Sequence, residues 1–189
     1  MTNEHPKYSQ VEHERRFLVI GGLPPGVEPD PKQLEDKYLH QSRMRLRVLT
    51  DTNGGHKVMK LTKKYVSPSP YYQAITTLQL SETELALFDR LEGDRLKKTR
   101  HYQRYRNHLF AIDVFHGPHA GLVLCEVEAP DLTQLMALQL PPYATLEVTE
   151  DPFFRGGNLS KVQPAELKAK LASMTPPPAA RPQSEARPS

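Results

Sequence analysis

Polar and apolar residues alternate along most of this chain, which is the pattern of β-strands that have one polar and one apolar face. In the segment SRMRLRVL, residues 42–49, the arginines fall on one face and Met44, Leu46 and Val48 on the other. A DTNGG turn separates this segment from residues 58–65, so the two are predicted to form a hairpin. The same period predicts further strands over residues 11–19, 73–80, 97–105, 108–115 and 122–129.

Short helices are predicted between and after these strands. A capping box of Ser81 and Glu84 opens a helix that is expected to end at Gly93. A second short helix is predicted after Asp131, and the run PAELKAKLASM predicts a third over residues 164–174. Because strands dominate, most of them are expected to pair antiparallel in one sheet with a few helices at its periphery.

Charged residues form rows on several predicted strands. For one strand taken alone, a polar face toward water is the simpler interpretation. The rows recur opposite apolar faces that helices can cover, which instead favours a closed barrel whose polar faces line a lumen. The predicted fold is therefore α+β and β-dominated, an antiparallel tunnel with a hydrophilic lumen and peripheral helices. The rows are Glu12, Glu14 and Arg16; Arg43, Arg45 and Arg47; Lys98 and Arg100; and Glu126 and Glu128.

The composition is that of one globular domain with polar ends. The chain has 189 residues, of which 38% are hydrophobic and 25% charged. The domain is predicted over residues 10–163, after a flexible N-terminus of residues 1–9. Beyond the helix of residues 164–174, the segment TPPPAARPQSEARPS, residues 175–189, is predicted to be a disordered tail because it has no large apolar residue to bury.

Charge and cysteine content narrow the function classes. The single cysteine, Cys125, excludes an intramolecular disulfide framework, and the sequence shows neither a signal-peptide pattern nor an apolar run that could cross a bilayer. A cytoplasmic location without a membrane partner is expected. The formal net charge is +3, so any anion-binding surface must be local rather than a property of the whole chain.

The two signs of charge in the predicted lumen indicate a phosphorylated anion bound together with a metal ion. Carboxylates are hard oxygen ligands that suit Mg²⁺ or Mn²⁺, whereas arginine and lysine match phosphate oxygens. A small anion such as inorganic triphosphate, an organic triphosphate or polyphosphate is the expected partner. A nucleic-acid partner is not expected, because the interleaved glutamates would repel a phosphate backbone.

The run EHERRFLV resembles the ExExK signature that opens CYTH domains, the triphosphate tunnel metalloenzymes, which include inorganic triphosphatases, thiamine triphosphatases and class IV adenylate cyclases. Further similar runs follow in the family's order, namely RLRV, LTKK, KKTR, IDVFHGPHAGLVLCEVE and EVTEDPFFRGGNLSK. They cover roughly residues 10–161, and the run that contains AGL and the ExE pair is the most specific. The resemblance implies an eight-stranded antiparallel tunnel with a hydrophilic interior.

The resemblance also implies roles for the charged rows. Catalytic roles are expected for Glu12, Glu14 and Lys98. The implied metal ligands are Glu12, Glu14, Asp113, Glu126 and Glu128. The implied phosphate-binding residues are Arg16, Arg45, Arg47, Lys63, Lys98 and Arg100, with Arg43 on the same face but outside the family's RxR.

Two departures from the family pattern affect the expected activity. The signature lysine is replaced by Arg16, which keeps the charge but loses a proton far less readily. Ile75 and Thr77 stand where many members carry two carboxylates. The predicted function is metal-dependent hydrolysis of a short triphosphate-bearing substrate, inorganic triphosphate first, by metal-assisted phosphoryl transfer to water. The alternatives are a non-catalytic module that binds polyphosphate or a phosphorylated metabolite, and a class IV adenylate cyclase.

Overall fold

Eight strands close into an antiparallel barrel in the computed structural model, which describes residues 6–174. The barrel order is β1, β5, β4, β3, β2, β6, β7 and β8, which returns to β1, and the short strand β9 pairs with the end of β1. This confirms the predicted tunnel. The strands are β1 (Gln10–Leu18), β2 (Lys32–Leu39), β3 (Met44–Asp51), β4 (Lys57–Lys64), β5 (Tyr72–Gln79), β6 (Gly93–Tyr105), β7 (His108–Phe115), β8 (Val123–Ala129) and β9 (Leu146–Glu147).

Strand β2 is the one barrel strand that the alternation did not predict. Its sequence, KQLEDKYL, has no β-branched residue, and its lumen face mixes Leu34, Asp36 and Tyr38, so no apolar period of two is visible. Strand β6 pairs with it along its whole length, from Leu39 opposite Gly93 onward. Gly93 therefore begins a strand rather than ending a helix, and the helix that the capping box opens stops five residues earlier in the chain.

Four helices lie around the barrel within the described residues. The first, α1, packs Leu85 and Phe88 against Leu46 and Leu61 on the outer surface of β3 and β4. These side chains are apolar on both elements, so α1 covers the outer face of the hairpin. The helices are α1 (Glu82–Phe88), α2 (Leu132–Met136), α3 (Gly156–Leu159) and α4 (Pro164–Met174).

Helix α2 covers the apolar outer face of β1, β7 and β8. Its Leu135 belongs to a buried cluster with Phe17, Phe110 and Cys125. Cys125 thus points outward, away from the charged lumen. Burial raises the pKa of this thiol to about 12, so Cys125 is a packing residue and not a nucleophile.

The segment after β9 packs into one end of the barrel. Phe154, Leu159 and Leu167 are buried together with Leu96 and Leu124, whose side chains point into the lumen. This apolar cluster closes part of the tunnel and leaves its remaining interior to charged side chains. Along residues 6–174, no helix is long and apolar enough to cross a membrane.

Candidate active site

The charged rows predicted from the sequence line the interior of the barrel. They surround a cavity of about 80 Å³ that adjoins a second one of about 250 Å³. Side chains of Glu12, Glu14, Arg16 and Lys64 line both cavities, so the two form one tunnel. The predicted residues that line the smaller cavity are Glu12, Glu14, Arg16, Arg45, Arg47, Lys98, Arg100, Glu126 and Glu128.

A continuous network of ion pairs spans four strands of the tunnel, β1, β8, β7 and β6. Glu126 accepts hydrogen bonds from Arg16 Nε at 2.9 Å and from Arg100 Nη2 at 2.8 Å. Arg100 Nε also donates to Asp113 Oδ1 at 2.7 Å, and Lys98 donates to the same carboxylate. The network is possible because Arg16 lies opposite Glu126, and Arg100 opposite Asp113, across neighbouring strands.

This network holds Asp113 and Glu126 as counter-ions. Burial alone would raise the pKa of Glu126, but Arg16, Lys98 and Arg100 hold that pKa well below its usual range. The contacts shown are with cationic side chains, and the implied role of Asp113 and Glu126 as metal ligands stays a prediction. Burial lowers the pKa of Lys98, although Asp113 opposes the shift.

The unpredicted strand β2 contributes another buried counter-ion. Arg47 donates two hydrogen bonds to Asp36, at 2.6 Å from Nε and 2.7 Å from Nη2. Asp36 is 1% exposed, and Arg47, followed by Arg45, holds its pKa below the ordinary value even though burial opposes this. Asp36 lies within the charged run EDK, so nothing in the sequence distinguishes it from a solvated surface residue.

Arg45 has hydrogen-bonding capacity that the protein does not use. Its Nε is buried without a hydrogen-bond partner among the described residues, and the nearest carboxylate oxygen, on Asp36, is 3.9 Å away. An unsatisfied buried donor is destabilising, and a phosphate oxygen would satisfy it. Arg45 is therefore the clearest indication that the tunnel accommodates an anion.

Tyr38, also on β2, lines both tunnel cavities. Burial and the neighbouring Asp36 raise its pKa to about 12, so its hydroxyl stays protonated at neutral pH and can donate a hydrogen bond. Gly156 at the start of α3 lies against this ring, and a methyl group there would overlap the hydroxyl. The GG pair of the C-terminal segment thus makes room for Tyr38, which the sequence did not single out.

Two neighbouring lysines on β4 point in opposite directions. The family resemblance implied that Lys63 binds phosphate, but Lys63 lies opposite Met44 on the outer face and is exposed. Lys64 lines both tunnel cavities instead. Burial, and then Arg45, lower the pKa of Lys64. Lys63 is not a lumen residue, because it shares the outer face of β4 with Leu61, which packs against α1.

Three carboxylates form an acidic corner next to the basic rows. Glu14 lies directly opposite Glu128 on β8, and Glu12 is two residues away on the same face. Partial burial and then repulsion from Glu14, Glu12 and Glu126 raise the pKa of Glu128 to about 7. Burial, then Glu126, raises that of Glu14 despite its ion pair with Arg16. A negative corner that is only partly compensated by Arg16 is electrostatically suited to a divalent cation.

These oxygen donors fit Mg²⁺ or Mn²⁺ by their chemistry, but their present side-chain positions do not form a coordination site. Over residues 6–174, no three His, Cys, Asp or Glu side chains are arranged to hold a metal ion. Glu12, Glu14 and Glu128 are the residues of the acidic corner that would hold one. They lie on the adjacent strands β1 and β8, within reach of rotamer changes.

The remaining predicted positions lie just before β3 and on β5. Arg43 precedes β3 and lines the larger tunnel cavity at its rim. Thr77 forms a hydrogen bond of 3.0 Å with Thr62, and Ile75, 6% exposed, lies opposite Lys64. Both side chains share the lumen face of β5, so this wall is neutral where the family resemblance led us to expect carboxylates.

Acidic and basic side chains balance on the strands that form the tunnel. Among strand residues that line the two cavities, or that bond to those that do, there are as many carboxylates as cations, while Arg43 and Arg155, which lie outside the strands, add two cations to the lining of the larger cavity. The cations are Arg16, Arg45, Arg47, Lys64, Lys98 and Arg100, and the carboxylates are Glu12, Glu14, Asp36, Asp113, Glu126 and Glu128.

Comparison with known proteins agrees with this architecture. The chain is 25% identical over 150 residues to a protein of Acetivibrio thermocellus named inorganic triphosphatase, a match that covers 79% of this chain and 93% of the relative. It is 29% identical to the solved inorganic triphosphatase NE1496, with a TM-score of 0.52, covering 79% of this chain and 93% of that one. The resemblance to the CYTH domain family is confirmed. Another crystal structure of NE1496 matches at 26% identity and a TM-score of 0.53.

No family model matches the chain, so its resemblance to the CYTH family rests on these relatives and on the tunnel itself. The tunnel explains why the ordered motifs are spread over most of the chain. Each motif lies on a different strand, and closure of the barrel brings their charged faces together.

Proposed function

We propose that this protein hydrolyses inorganic triphosphate. The observation that carries the proposal is the closed tunnel in which cationic side chains, including the unsatisfied Arg45, face an acidic corner suited to a divalent cation. Its similarity to proteins named inorganic triphosphatase supports the same substrate. A tunnel of these dimensions suits a linear anion better than a bulky one.

The basic residues bind and orient the triphosphate. Arg16, Arg47 and Arg100 are fixed by carboxylates, so their remaining N–H groups are preorganised and need little rearrangement on binding. Arg45 and Lys64, which form no such short carboxylate contact, adjust to the phosphates. Lys98 stabilises negative charge that develops as the phosphoanhydride bond breaks.

A divalent metal ion is part of the proposal because the tunnel is balanced in charge. Triphosphate brings several negative charges into a site where cations and carboxylates already cancel, so additional positive charge favours binding. Mg²⁺ or Mn²⁺ held by Glu12, Glu14 and Glu128 would neutralise phosphate charge and lower the pKa of a bound water. The catalytic contribution of Glu12 and Glu14 is to hold that positive charge at the phosphates.

The reaction transfers a terminal phosphoryl group to water. The oxygen of water forms a bond to the terminal phosphorus while the bond from that phosphorus to the bridging oxygen breaks. The electron pair of the broken bond stays on the bridging oxygen. One proton of the water remains on the released phosphate, the other passes to pyrophosphate or to solvent, and the products are phosphate and pyrophosphate. The tunnel walls contribute by holding the attacked phosphorus in line and by excluding competing orientations.

The test is turnover of inorganic triphosphate, thiamine triphosphate and ATP by the purified protein, each with Mg²⁺, with Mn²⁺ and with the metals chelated. We expect phosphate release from inorganic triphosphate that requires a divalent metal, and slower release from the two organic substrates. Absence of turnover with all three substrates, despite tight binding of triphosphate, would refute hydrolysis.

A second candidate function is binding without catalysis. It is favoured by the neutral wall of β5, where Ile75 and Thr77 replace two expected carboxylates. Such a module would hold triphosphate or polyphosphate through the basic rows and use a metal only as an electrostatic bridge. Calorimetry that shows triphosphate binding, in a preparation without measurable phosphate release, would support this function over the first.

A further inference from the structure

A third cavity, of about 790 Å³, lies against the tunnel and is much larger than it. We call it the vestibule, and its charged lining consists of Arg43, Arg45, Lys63, Lys64, Arg155 and Lys161. None of the described residues that line it is acidic. The vestibule therefore differs from the tunnel, in which carboxylates balance the cations.

The vestibule and the tunnel are continuous. Tyr38, Arg43, Lys64 and Arg155 line both the vestibule and the larger tunnel cavity. Arg45 lines the vestibule and the smaller cavity, so one guanidinium reaches both spaces. An anion held in the tunnel can thus extend into the vestibule without leaving a basic surface.

The vestibule cations are free to bind an anion. Within residues 6–174, Arg43, Lys63, Arg155 and Lys161 form no ion pair, and all four are exposed. Some other exposed cations of the barrel have partners, such as Lys97 with Glu35 and Arg95 with Asp89, and others, such as Lys57, stand apart from the vestibule. Unpaired cations grouped around one concave surface produce a local positive potential.

We propose that the vestibule binds the additional phosphates of a linear inorganic polyphosphate whose terminal triphosphate lies in the tunnel. The proposal rests on the proposed function, because it assumes that the tunnel holds the terminal triphosphate. Each further phosphate brings a negative charge and acceptor oxygens, and the lining supplies unpaired donors without opposing carboxylates.

A nucleoside attached to the triphosphate fits this surface less well. Among the described residues of the lining, the rings are those of Tyr38, whose hydroxyl end is packed against Gly156, and of His40, whose Nε2 lies 3.1 Å from Asp94 Oδ2. A base would thus find one small exposed ring in the vestibule, the imidazole of His40, and that ring already contacts a carboxylate. The chemistry of the vestibule matches phosphate oxygens along its whole charged lining.

The test uses the variant Lys63→Gln, Lys161→Gln, since both lysines line the vestibule but neither tunnel cavity. Its charge-matched control is Lys57→Gln, Lys168→Gln, in which both lysines are exposed and lie outside the vestibule. The full chain is titrated with inorganic triphosphate, tetraphosphate, a longer linear polyphosphate and ATP, at low and at physiological salt, with Mg²⁺ present. Binding is measured by calorimetry and phosphate release by steady-state kinetics.

We expect the vestibule variant to bind the longer polyphosphate roughly fivefold more weakly than wild type, as two exposed ion pairs allow, while its affinity for triphosphate stays within about twofold. The control variant should match wild type for both ligands. Affinity of wild type for the longer chain should also fall more steeply with salt than its affinity for triphosphate.

The other outcomes separate the inference from the function on which it rests. Equal losses for triphosphate and the longer chain would mean that the vestibule only steers anions, and would overturn the inference. The inference would also be overturned if wild type bound ATP more tightly than tetraphosphate. It would be overturned as well if wild type hydrolysed triphosphate but failed to bind the longer chain. If triphosphate is not hydrolysed but the longer chain binds through Lys63 and Lys161, the hydrolase proposal fails and the vestibule stands.

Discussion

At the scale of single residues, the direction of one side chain decides whether a lysine meets the substrate. Lys63 and Lys64 are adjacent on β4 and carry the same charge, but only Lys64 points into the tunnel. Its amine is buried between Arg45 and the acidic corner. An anion in the tunnel therefore lies closer to Lys64 than to Lys63, and it interacts with Lys64 through a medium of lower dielectric constant.

We predict that Lys64→Ala raises the KM for triphosphate by roughly tenfold or more, as expected for loss of a hydrogen bond to a charged group. Lys63→Ala is the matched control and should leave this KM within about twofold, since an exposed charge contributes little. Steady-state phosphate release measures both, with melting curves to verify folding. A larger effect at Lys63 than at Lys64 would contradict the assignment of Lys64 to the lumen face of β4 and of Lys63 to its outer face.

Glu128 gives the empty tunnel a pH-dependent stability. Its pKa of about 7 lies above the ordinary value of 4.5, so the folded protein binds more protons than the unfolded chain between these values. Stability must then fall as the pH rises through this interval. In metal-free buffer, we predict that Glu128→Gln melts at a higher temperature than wild type at pH 8 and at the same temperature at pH 4.

Thermal melts across this pH range check the prediction, and Glu82→Gln is the control because Glu82 is exposed on α1, outside the barrel. The control should follow the wild-type curve. A Glu128→Gln variant that gains nothing at pH 8 would show that the carboxylates of the acidic corner do not repel one another.

At the scale of elements, the β2–β3 pair contains two ion pairs in contrasting environments. Asp36 and Arg47 meet inside the tunnel, whereas Lys32 and Asp51 meet at the other end of the same pair of strands. Asp36 is 1% exposed and the side chain of Asp51 is 35% exposed. The same type of interaction thus has different energetic consequences along one ladder.

We predict that Asp36→Asn lowers the free energy of unfolding by about 3 kcal/mol, because it leaves Arg47 buried without its counter-ion. Asp51→Asn should lower it by less than about 1 kcal/mol. Arg47 and Arg45 hold the pKa of Asp36 below its ordinary value. The stability advantage of wild type over Asp36→Asn should therefore be lost progressively as the pH falls from the ordinary pKa toward the lowered one. Urea unfolding measures both variants, and equal losses would contradict this account.

The same pair of strands explains which elements the sequence could predict. Strands such as β3 and β8 carry a charged face opposite an apolar one, so their period of two is visible and places Arg45 and Glu126 correctly in the lumen. Strand β2 hides its lumen face because Asp36 is buried by a partner that only tertiary structure supplies. On β4 the alternation itself places Lys63 on the same face as Met59 and Leu61, so the misplacement of Lys63 came from the family resemblance and not from the strand pattern.

At the scale of the whole molecule, the charge of the protein is distributed unevenly along the path of the substrate. The tunnel pairs its cations with carboxylates, and the adjoining vestibule does not. A formal net charge of +3 conceals this arrangement. An anion meets positive potential first and a neutral, densely charged interior afterwards, where extra cations become important.

Removal of two carboxylates from the acidic corner should therefore make triphosphate binding much less dependent on a metal ion. We predict that Glu12→Gln, Glu128→Gln binds triphosphate at least about tenfold more tightly than wild type when metals are chelated, because two repulsive charges are lost from a site of low dielectric. Added Mg²⁺ should improve binding much less than in wild type, and turnover should be lost. The matched control, Glu82→Gln, Glu166→Gln, removes two exposed charges from α1 and α4 and should behave as wild type. Calorimetric titration with and without Mg²⁺ measures all three proteins. Weaker metal-free binding by the tunnel variant would mean that Glu12 and Glu128 do not oppose the anion, and the assignment of the metal to the acidic corner would be wrong.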